Sequence, residues 1–256
     1  MKKLSLIFFI ITFCSIAYAQ QKYALVIGNG NYTSLGKLRN PVNDAEDVAA
    51  VLSDLGFNVE KVLDGDLDRM ESAVLRLKNR LSVSKNTYGF LFYAGHGVQS
   101  NGLNYLIPVG ASIPSEGSLR ERSMSVQWML GEINDAGNEL NVVVLDACRD
   151  NPFIWARSGS RGLTVIGNQP ADSIVVYATS AGSVAQDGTG RNGLFTSHLL
   201  KNLKTPGLEV TEIFRRTGFD VSDASNRKQV PAVSVQFFGT AYFSKPVVAQ
   251  APVTPP

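Results

Sequence analysis

The chain has 256 residues, enough for one sizeable hydrophobic core and a short appendage. Hydrophobic residues make up 44% of the chain and charged residues 18%, which is ordinary for a globular protein. The net charge of +2 gives no support for a protein that binds nucleic acid or an acidic membrane surface.

The first 19 residues have the features of a secretory signal peptide. A basic start at residues 2–3 precedes an apolar run over residues 4–16, and Ala17-Tyr18-Ala19 is a small-x-small cleavage site. The apolar run is shorter than the ~20 residues that a membrane-spanning helix needs, so we favour cleavage after Ala19 over a membrane anchor. We therefore expect an exported protein, periplasmic or extracellular, that has no membrane contact after cleavage.

Signal cleavage changes the number of cysteines. The chain has two, and Cys14 would leave with the signal peptide. A lipid anchor at Cys14 is disfavoured, because Phe13 rather than a small residue precedes it. The mature chain would keep only Cys148, which rules out an internal disulfide. That thiol is then either buried and inert or chemically reactive.

Short apolar runs alternate along the chain with segments whose apolar residues recur at helical spacing. The predicted strands are continuous apolar runs, and this favours a mainly parallel sheet with helices on both faces. The six predicted strands cover residues 23–28, 58–63, 88–94, 141–147, 174–179 and 237–243. The five predicted helices cover residues 41–55, 67–81, 125–136, 195–203 and 209–222. We assign residues 20–245 to one α/β domain, and the Pro-rich residues 246–256 to a tail or the start of a linker.

A histidine and the mature cysteine both follow predicted strands. In parallel sheets, functional residues gather at the carboxyl ends of the strands. The third strand leads into Gly95-His96-Gly97, and the fourth leads into Cys148. A thiol attacks as its thiolate, and a neighbouring imidazole lowers the thiol pKa and later protonates the leaving amine. We therefore predict Cys148 as a nucleophile and His96 as its base.

The flanking glycines let backbone and substrate approach His96 closely. The backbone N–H groups of Gly97 and Cys148 are the predicted oxyanion donors. The alternative interpretations are that Cys148 is a buried structural thiol and that His96 is a turn residue bonded to the backbone. Together they do not explain why both residues follow strands at the same edge of the sheet. His198, the other histidine, lies within a predicted helix and is not favoured as the base.

Two segments carry a specific resemblance. Tyr93-Ala94-Gly95-His96-Gly97 and Leu145-Asp146-Ala147-Cys148-Arg149, whose histidine and cysteine are 52 positions apart, resemble the catalytic motifs of caspase-like cysteine peptidases. Residues 24–29 and 177–180 also match, so the resemblance covers residues 22–243. It is closest to the metacaspase and paracaspase branch, including bacterial members. The chain departs from true caspases, whose cysteine lies in Gln-Ala-Cys-Arg-Gly. The resemblance implies a caspase-like α/β/α sandwich with a sheet of about six strands.

The resemblance also implies a substrate preference. True caspases cut after aspartate and hold it with arginines, whereas metacaspases and paracaspases cut after arginine or lysine and use carboxylates. Asp44 matches the second pocket acid of the arginine-selective branch. Asp187 matches a third acid found in paracaspases, provided that its loop keeps the same register. Asp146 precedes Cys148 by two residues, which puts both side chains on one strand face. Its carboxylate would oppose thiol ionisation unless a cation is also bound, so we predict binding of a basic side chain.

Each acid also has a simpler interpretation. Asp44 could merely stabilise the N-terminus of its helix, and Asp187 could be a turn residue. Asp146 is harder to explain, because an acid at the end of an apolar strand is costly unless it is used. Arg39 and Arg149 leave an aspartate-specific, caspase-type peptidase as the second hypothesis.

The segment between the fourth and fifth predicted strands is small, polar and basic. Arg157 and Arg161 are candidates for self-cleavage, which commonly accompanies activation in the family; an uncut surface loop is an equal alternative. One mature cysteine and two histidines do not form a familiar structural zinc site, so we expect no bound metal and no required cofactor. The resemblance leaves calcium stimulation open without assigning a site.

The expected function is therefore a cysteine endopeptidase whose partner is a peptide or protein with a basic residue before the cut. No nucleic-acid partner is expected. Two further alternatives are a non-catalytic caspase-like module that binds peptides, and a different Cys/His hydrolase, such as an amidase, on a similar sheet.

Overall fold

The computed structural model describes residues 20–148, 153, 163–164, 166–180 and 190–244, and for Cys148 it describes the backbone alone. Several sequence predictions lie outside the described residues. They are the signal peptide, the Pro-rich tail, the acid at Asp187, and the self-cleavage candidates Arg157 and Arg161.

Strands and helices alternate along most of the described chain. The strands are β1 (Gln21–Gly28), β2 (Asn58–Leu63), β3 (Thr87–Ser100), β4 (Leu103–Leu106), β5 (Met124–Ser125), β6 (Leu140–Cys148), β7 (Ser173–Tyr177) and β8 (Ala232–Val235). The α-helices are α1 (Pro41–Asp54), α2 (Leu67–Leu81), α3 (Leu119–Arg122), α4 (Val126–Asn134), α5 (Leu194–Leu203) and α6 (Val210–Ala224), and a 3₁₀ turn covers Glu116–Ser118.

The main sheet has the strand order β2-β1-β3-β6-β7-β8. All neighbouring pairs are parallel except β7 and β8, which are antiparallel. The far end of β3 extends beyond this sheet and pairs antiparallel with β4, which in turn pairs with β5. The predicted α/β class with a mainly parallel, six-stranded sheet is confirmed.

Helices cover both faces of the sheet, because alternate strand residues point to opposite sides. Val142 and Val144 of β6 belong to the core cluster that includes residues of α1, α5 and α6. Val143 and Leu145 belong to the cluster on the other face, formed with α2 and α4. Burying both faces explains why the strands read as continuous apolar runs.

The last strand was predicted wrongly. It lies at Ala232–Val235 rather than at residues 237–243, and side-chain exposure alternates along it. Phe237, Ala241 and Phe243 of the predicted strand are buried in the core from an irregular segment instead, whereas Phe238 is exposed. The rings of Phe243 and Phe57 are 5.2 Å apart. A partly exposed antiparallel edge strand lacks the continuous apolar run that identified the central strands. The sequence analysis also missed β4, β5 and α3.

A buried asparagine anchors the loop that follows β1. The Asn29 side chain is fully buried, and its Oδ1 accepts a hydrogen bond from the Gly65 N–H at 2.9 Å. Its Nδ2 donates to the carbonyl of Ile107 at 3.2 Å. One side chain thus ties the end of β1 to the approach to α2 and to the segment after β4. All three segments surround the carboxyl end of β1.

We expect Asn29→Ala to lower the free energy of unfolding by about 1–3 kcal/mol, because it leaves the buried Gly65 N–H without its acceptor. Thermal unfolding of this variant beside Asn31→Ala measures the effect. Asn31 is exposed and offers only its backbone N–H to the fold, so its replacement should be nearly neutral. Equal unfolding temperatures for the two variants would contradict the anchoring role of Asn29.

Candidate active site

His96 lies inside β3 rather than after a strand, because β3 continues to Ser100. Its side chain is buried, with 7% exposure, and Nε2 is 2.8 Å from the carbonyl oxygen of Gly36. A carbonyl only accepts hydrogen bonds, so we assign the ring proton to Nε2. Nδ1 is buried and has no hydrogen-bond partner among the described residues. The lone pair of the neutral imidazole is therefore on Nδ1.

Two tyrosines hold the backbone of His96. The His96 N–H donates to Oη of Tyr32 at 2.9 Å, and Oη of Tyr93 donates to the His96 carbonyl at 2.7 Å. The Tyr32 ring also packs against the imidazole, with 4.5 Å between ring centroids. A Cβ at Gly95 would lie 2.6 Å from the Tyr93 hydroxyl and 2.7 Å from the Tyr32 hydroxyl. Residue 95 is therefore glycine to leave room for these hydroxyls.

The surroundings of His96 favour its neutral form. Burial lowers the pKa of its imidazole, and the hydrogen bond to the Gly36 carbonyl only partly offsets this effect. A neutral imidazole with an unbonded nitrogen can accept a proton near neutral pH. His96 thus has the protonation state that a general base requires.

Cys148 lies at the end of β6, and the parallel register places its Cα opposite that of His96. On the other side of β3, the His96 carbonyl accepts a hydrogen bond from the Ile107 N–H at 3.0 Å. Successive residues of a strand direct their backbone groups to opposite sides. The N–H of Gly97 therefore points to the side of β3 on which β6 and Cys148 lie.

The structure brings Asp44 and Asp146 together, although 102 residues separate them in the sequence. Oδ1 of Asp44 accepts a hydrogen bond from the N–H of Gly193 at 3.0 Å. Oδ2 of Asp146 accepts one from the Thr196 hydroxyl at 2.7 Å. Gly193 precedes α5 and Thr196 lies in its first turn, so both acids face the N-terminus of this helix.

This proximity changes the acid strength of Asp44. Burial, with 3% exposure, and the charge of Asp146 raise the pKa of Asp44 to about 8, against the lowering effect of hydrogen bonds from Gly193 and Asn192. Near neutral pH the empty pair therefore retains a proton. A cation placed between the two carboxyls would favour release of that proton, because two ionised carboxylates could then share its charge.

The segment before α5 is fixed to the surface of α1. Arg191 forms ion pairs with Glu46 at 2.9 Å and with Asp47 at 3.0 Å. The Asn192 amide also donates to Asp47, at 2.9 Å. These contacts hold the residues just before Gly193 against the helix that carries Asp44. The sequence analysis did not identify Gly36, Tyr32, Gly193 or Thr196, and it gave Tyr93 only as part of the histidine motif.

The predicted site residues are thus partly assembled. His96 and the backbone of Cys148 are opposite each other, and Asp44 and Asp146 form one acidic pair. Asp187 lies outside the described residues, and so does Arg149. Arg39, the other arginine behind the aspartate-specific alternative, is exposed.

Comparison with known proteins supports the same class. The family described as caspase domain matches residues 21–242. The chain therefore belongs to the caspase-like family of cysteine peptidases, as its sequence motifs suggested.

Two relatives are similar over 196 residues, which is 76% of this chain. Mucosa-associated lymphoid tissue lymphoma translocation protein 1 of Homo sapiens is 37% identical, and its homolog of Mus musculus is 36% identical. The aligned part covers 23% of the human protein and 22% of the mouse protein. The chain thus corresponds to less than a quarter of each relative.

The described residues contain no group of three or more His, Cys, Asp or Glu side chains arranged to hold a metal ion. Among the helices described, none has both the length and the apolar character to cross a membrane.

We expect Asp44→Asn to raise the unfolding temperature, by about 3–8 °C at pH 9 and by less at pH 5. The folded-state pKa of Asp44 is raised, so its contribution to stability is greatest below pH 3.8 and is lost as the pH rises through about 8. Asparagine does not titrate and can still accept the Gly193 N–H. Thermal unfolding across this pH range measures the difference.

Asp47→Asn is the matched control on the same helix. Burial of Asp47 opposes ionisation, but hydrogen bonds from Arg191 and Asn192 lower its pKa below the usual value. Its removal should therefore slightly destabilise the protein throughout pH 5–9. A stabilisation by Asp44→Asn that does not grow with pH would contradict the buried acid pair.

Proposed function

We propose that the protein is a cysteine endopeptidase that cleaves peptide bonds after arginine or lysine. The observation that carries this proposal is the arrangement at the end of β6. Cys148 lies opposite a buried, neutral His96, and two residues earlier on the same strand Asp146 pairs with Asp44. A nucleophile and an acidic pocket are thus next to each other on one strand.

Each chemical step has a group available for it. Nδ1 of His96 takes the proton of the Cys148 thiol, and the sulfur attacks the carbonyl carbon of the scissile bond. The N–H groups of Gly97 and Cys148 donate to the resulting oxyanion. The imidazolium then protonates the leaving amine, and the C–N bond breaks to leave a thioester. A water molecule, deprotonated by His96, attacks the thioester and releases the acid and the free thiol.

The Gly36 carbonyl supports this cycle by fixing the orientation of the imidazole. Its hydrogen bond to Nε2–H keeps the lone pair on Nδ1 and also stabilises the imidazolium that forms during catalysis. A neutral backbone carbonyl can serve here in place of a third charged residue.

The preference for a basic residue follows from the charge of the pocket. The hydrogen bonds to Asp44 and Asp146 described above come from neutral donors, namely Gly193, Asn192 and Thr196. A substrate guanidinium or ammonium group would bring a positive charge to two carboxyl groups that lie side by side. An aspartate side chain would add a third acid to the pair, so the aspartate-specific alternative is disfavoured.

The remaining expectations stay proposals. Export through the signal peptide to a periplasmic or extracellular location, and self-cleavage after Arg157 or Arg161, both concern residues outside the described part of the chain. We also propose that catalysis needs no cofactor, with calcium stimulation tested as a separate variable. The amidase-like and non-catalytic alternatives predict no cleavage within peptides.

Hydrolysis of four peptides that differ only in the residue before the cut tests the function. The residues compared are Arg, Lys, Asp and Ala, with and without calcium. We expect kcat/KM for the Arg and Lys peptides to exceed that for Ala by at least about a hundredfold, because two carboxylates bind the basic group. We expect activity to be lost in Cys148→Ala.

The control is the second histidine. His198→Ala should keep full activity, whereas His96→Ala should not. Cleavage after Asp would keep the peptidase but overturn the acidic pocket. Absence of cleavage of every peptide, together with a Cys148 that does not react with iodoacetamide, would favour the binding module.

A further inference from the structure

The first turn of α5 supplies the surroundings of both pocket acids. Asp44 is carried by α1 and Asp146 by β6, yet each accepts a hydrogen bond from the beginning of α5. The donors are one backbone N–H, from Gly193, and one hydroxyl, from Thr196. Neither residue carries a charge, so neither is an obvious part of a pocket for cations.

Gly193 leaves a space between the two carboxyl groups. A Cβ added to it would lie 3.4 Å from Oδ2 of Asp44 and 3.8 Å from Oδ2 of Asp146. Both oxygens are therefore within 3.8 Å of one point that a larger residue would occupy. These are ordinary van der Waals contacts, so the fold itself would accept a methyl group here.

The backbone does not require glycine at this position either. Gly193 has φ −59° and ψ 156°, an extended conformation that any residue can adopt. Neither the backbone conformation nor a clash with the described residues requires glycine here, and a space beside both acids is what glycine provides and alanine would not. That space lies between the two carboxyl groups, where a basic side chain would meet both of them.

Thr196 fixes the second acid. The side chain is fully buried, and its hydroxyl donates to Oδ2 of Asp146. A donor to a carboxylate favours the ionised form and holds its plane in one orientation. The hydroxyl therefore holds the Asp146 carboxyl group in one orientation, beside the N-terminus of α5.

We propose that Gly193 and Thr196 determine substrate specificity, Gly193 by leaving the space that a basic side chain enters and Thr196 by orienting Asp146 towards it. This inference rests on the proposed cleavage after basic residues. Both are positioning residues, since they act on the pocket and not on the scissile bond. A fixed carboxylate matches the planar fork of arginine better than the point charge of lysine. Loss of the Thr196 hydroxyl should therefore reduce the preference for arginine over lysine.

Gly193→Ala tests the space, with Gly190→Ala as its matched control. A Cβ at Gly190 meets no atom of the described residues within 4 Å, although Gly190 lies in the same segment as Gly193. We expect Gly193→Ala to lower kcat/KM for the Arg peptide at least about a hundredfold, the loss expected for a buried charge denied its partner. Its unfolding temperature and its labelling by iodoacetamide, a small neutral reagent, should stay at wild-type values. Gly190→Ala should match the wild type in all three measurements.

The role of the Thr196 hydroxyl is tested by Thr196→Val and Thr196→Ser, with Thr217→Val as the control. We expect Thr196→Val to raise KM for the Arg peptide about tenfold to a hundredfold, with kcat nearly unchanged, because a hydrogen bond to a charged group is lost. The ratio of Arg to Lys cleavage should fall. Thr196→Ser should restore the wild-type values. Thr217 is equally buried in α6, and Thr217→Val should change stability alone.

The outcomes separate this inference from the function on which it rests. A wild-type protein that does not cleave after Arg or Lys would overturn both. If the wild type cleaves after Arg or Lys and either Gly193→Ala or Thr196→Val is as active and as selective as the wild type, only the role of the first turn of α5 would be overturned. If Gly193→Ala unfolds, the Thr196→Val and Thr196→Ser pair decides, because failure of serine to restore selectivity would contradict the role of the hydroxyl.

Discussion

The parallel pairing of β3 with β6 is the constraint on which the site depends. Its register places His96 opposite Cys148 and Ala94 opposite Asp146. Side chains alternate along a strand, so a slip of one residue would move Asp146 to the wrong face. In the observed register Asp146 lies on the same face of β6 as Val142 and Val144, which pack towards α1 and α5. Asp44 and Thr196 lie on those two helices, so the same packing that buries the valines assembles the acidic pocket.

Placing the buried Asp44 beside the half-buried Asp146 is unfavourable for folding, and hydrogen-bond donors offset part of that cost. The N–H of Gly193 and the hydroxyl of Thr196 satisfy one oxygen of each acid, at the end of α5 that favours negative charge. Burial and the charge of Asp146 still raise the pKa of Asp44 to about 8, so these donors offset only part of the cost. Under the proposed function the same arrangement favours binding of a basic side chain, so the stability of the unbound protein and its affinity for a basic substrate would be opposed.

The sequence predicted most of the fold because the central strands are buried on both faces and read as apolar runs. It failed for β8, which is an edge strand with alternating exposure, and it ended β3 before His96, although this strand continues to Ser100. The reason given for Gly95 was also incomplete, since the tyrosine hydroxyls that need its space come from two separate segments.

The candidate site could be predicted only in part for a similar reason. His96 and Cys148 follow apolar runs, which local pattern detects, and Asp44 was suggested by the resemblance to arginine-selective relatives. Gly36, Gly193 and Thr196 are neutral residues whose roles depend on contacts with distant segments. No local spacing indicates such contacts, and the proximity of Asp44 to Asp146 likewise appears only in three dimensions.

The most direct test of the account is the rate at which two peptide chloromethyl ketones alkylate the protein that begins at Gln20. The two reagents have the same sequence and differ only in carrying arginine or aspartate beside the reactive group. The account predicts a single adduct on Cys148, formed at least about a hundredfold faster with the arginine reagent, because the carboxyls of Asp44 and Asp146 bind the guanidinium next to the nucleophile. Equal rates, a faster reaction of the aspartate reagent, or an adduct at another residue would contradict it.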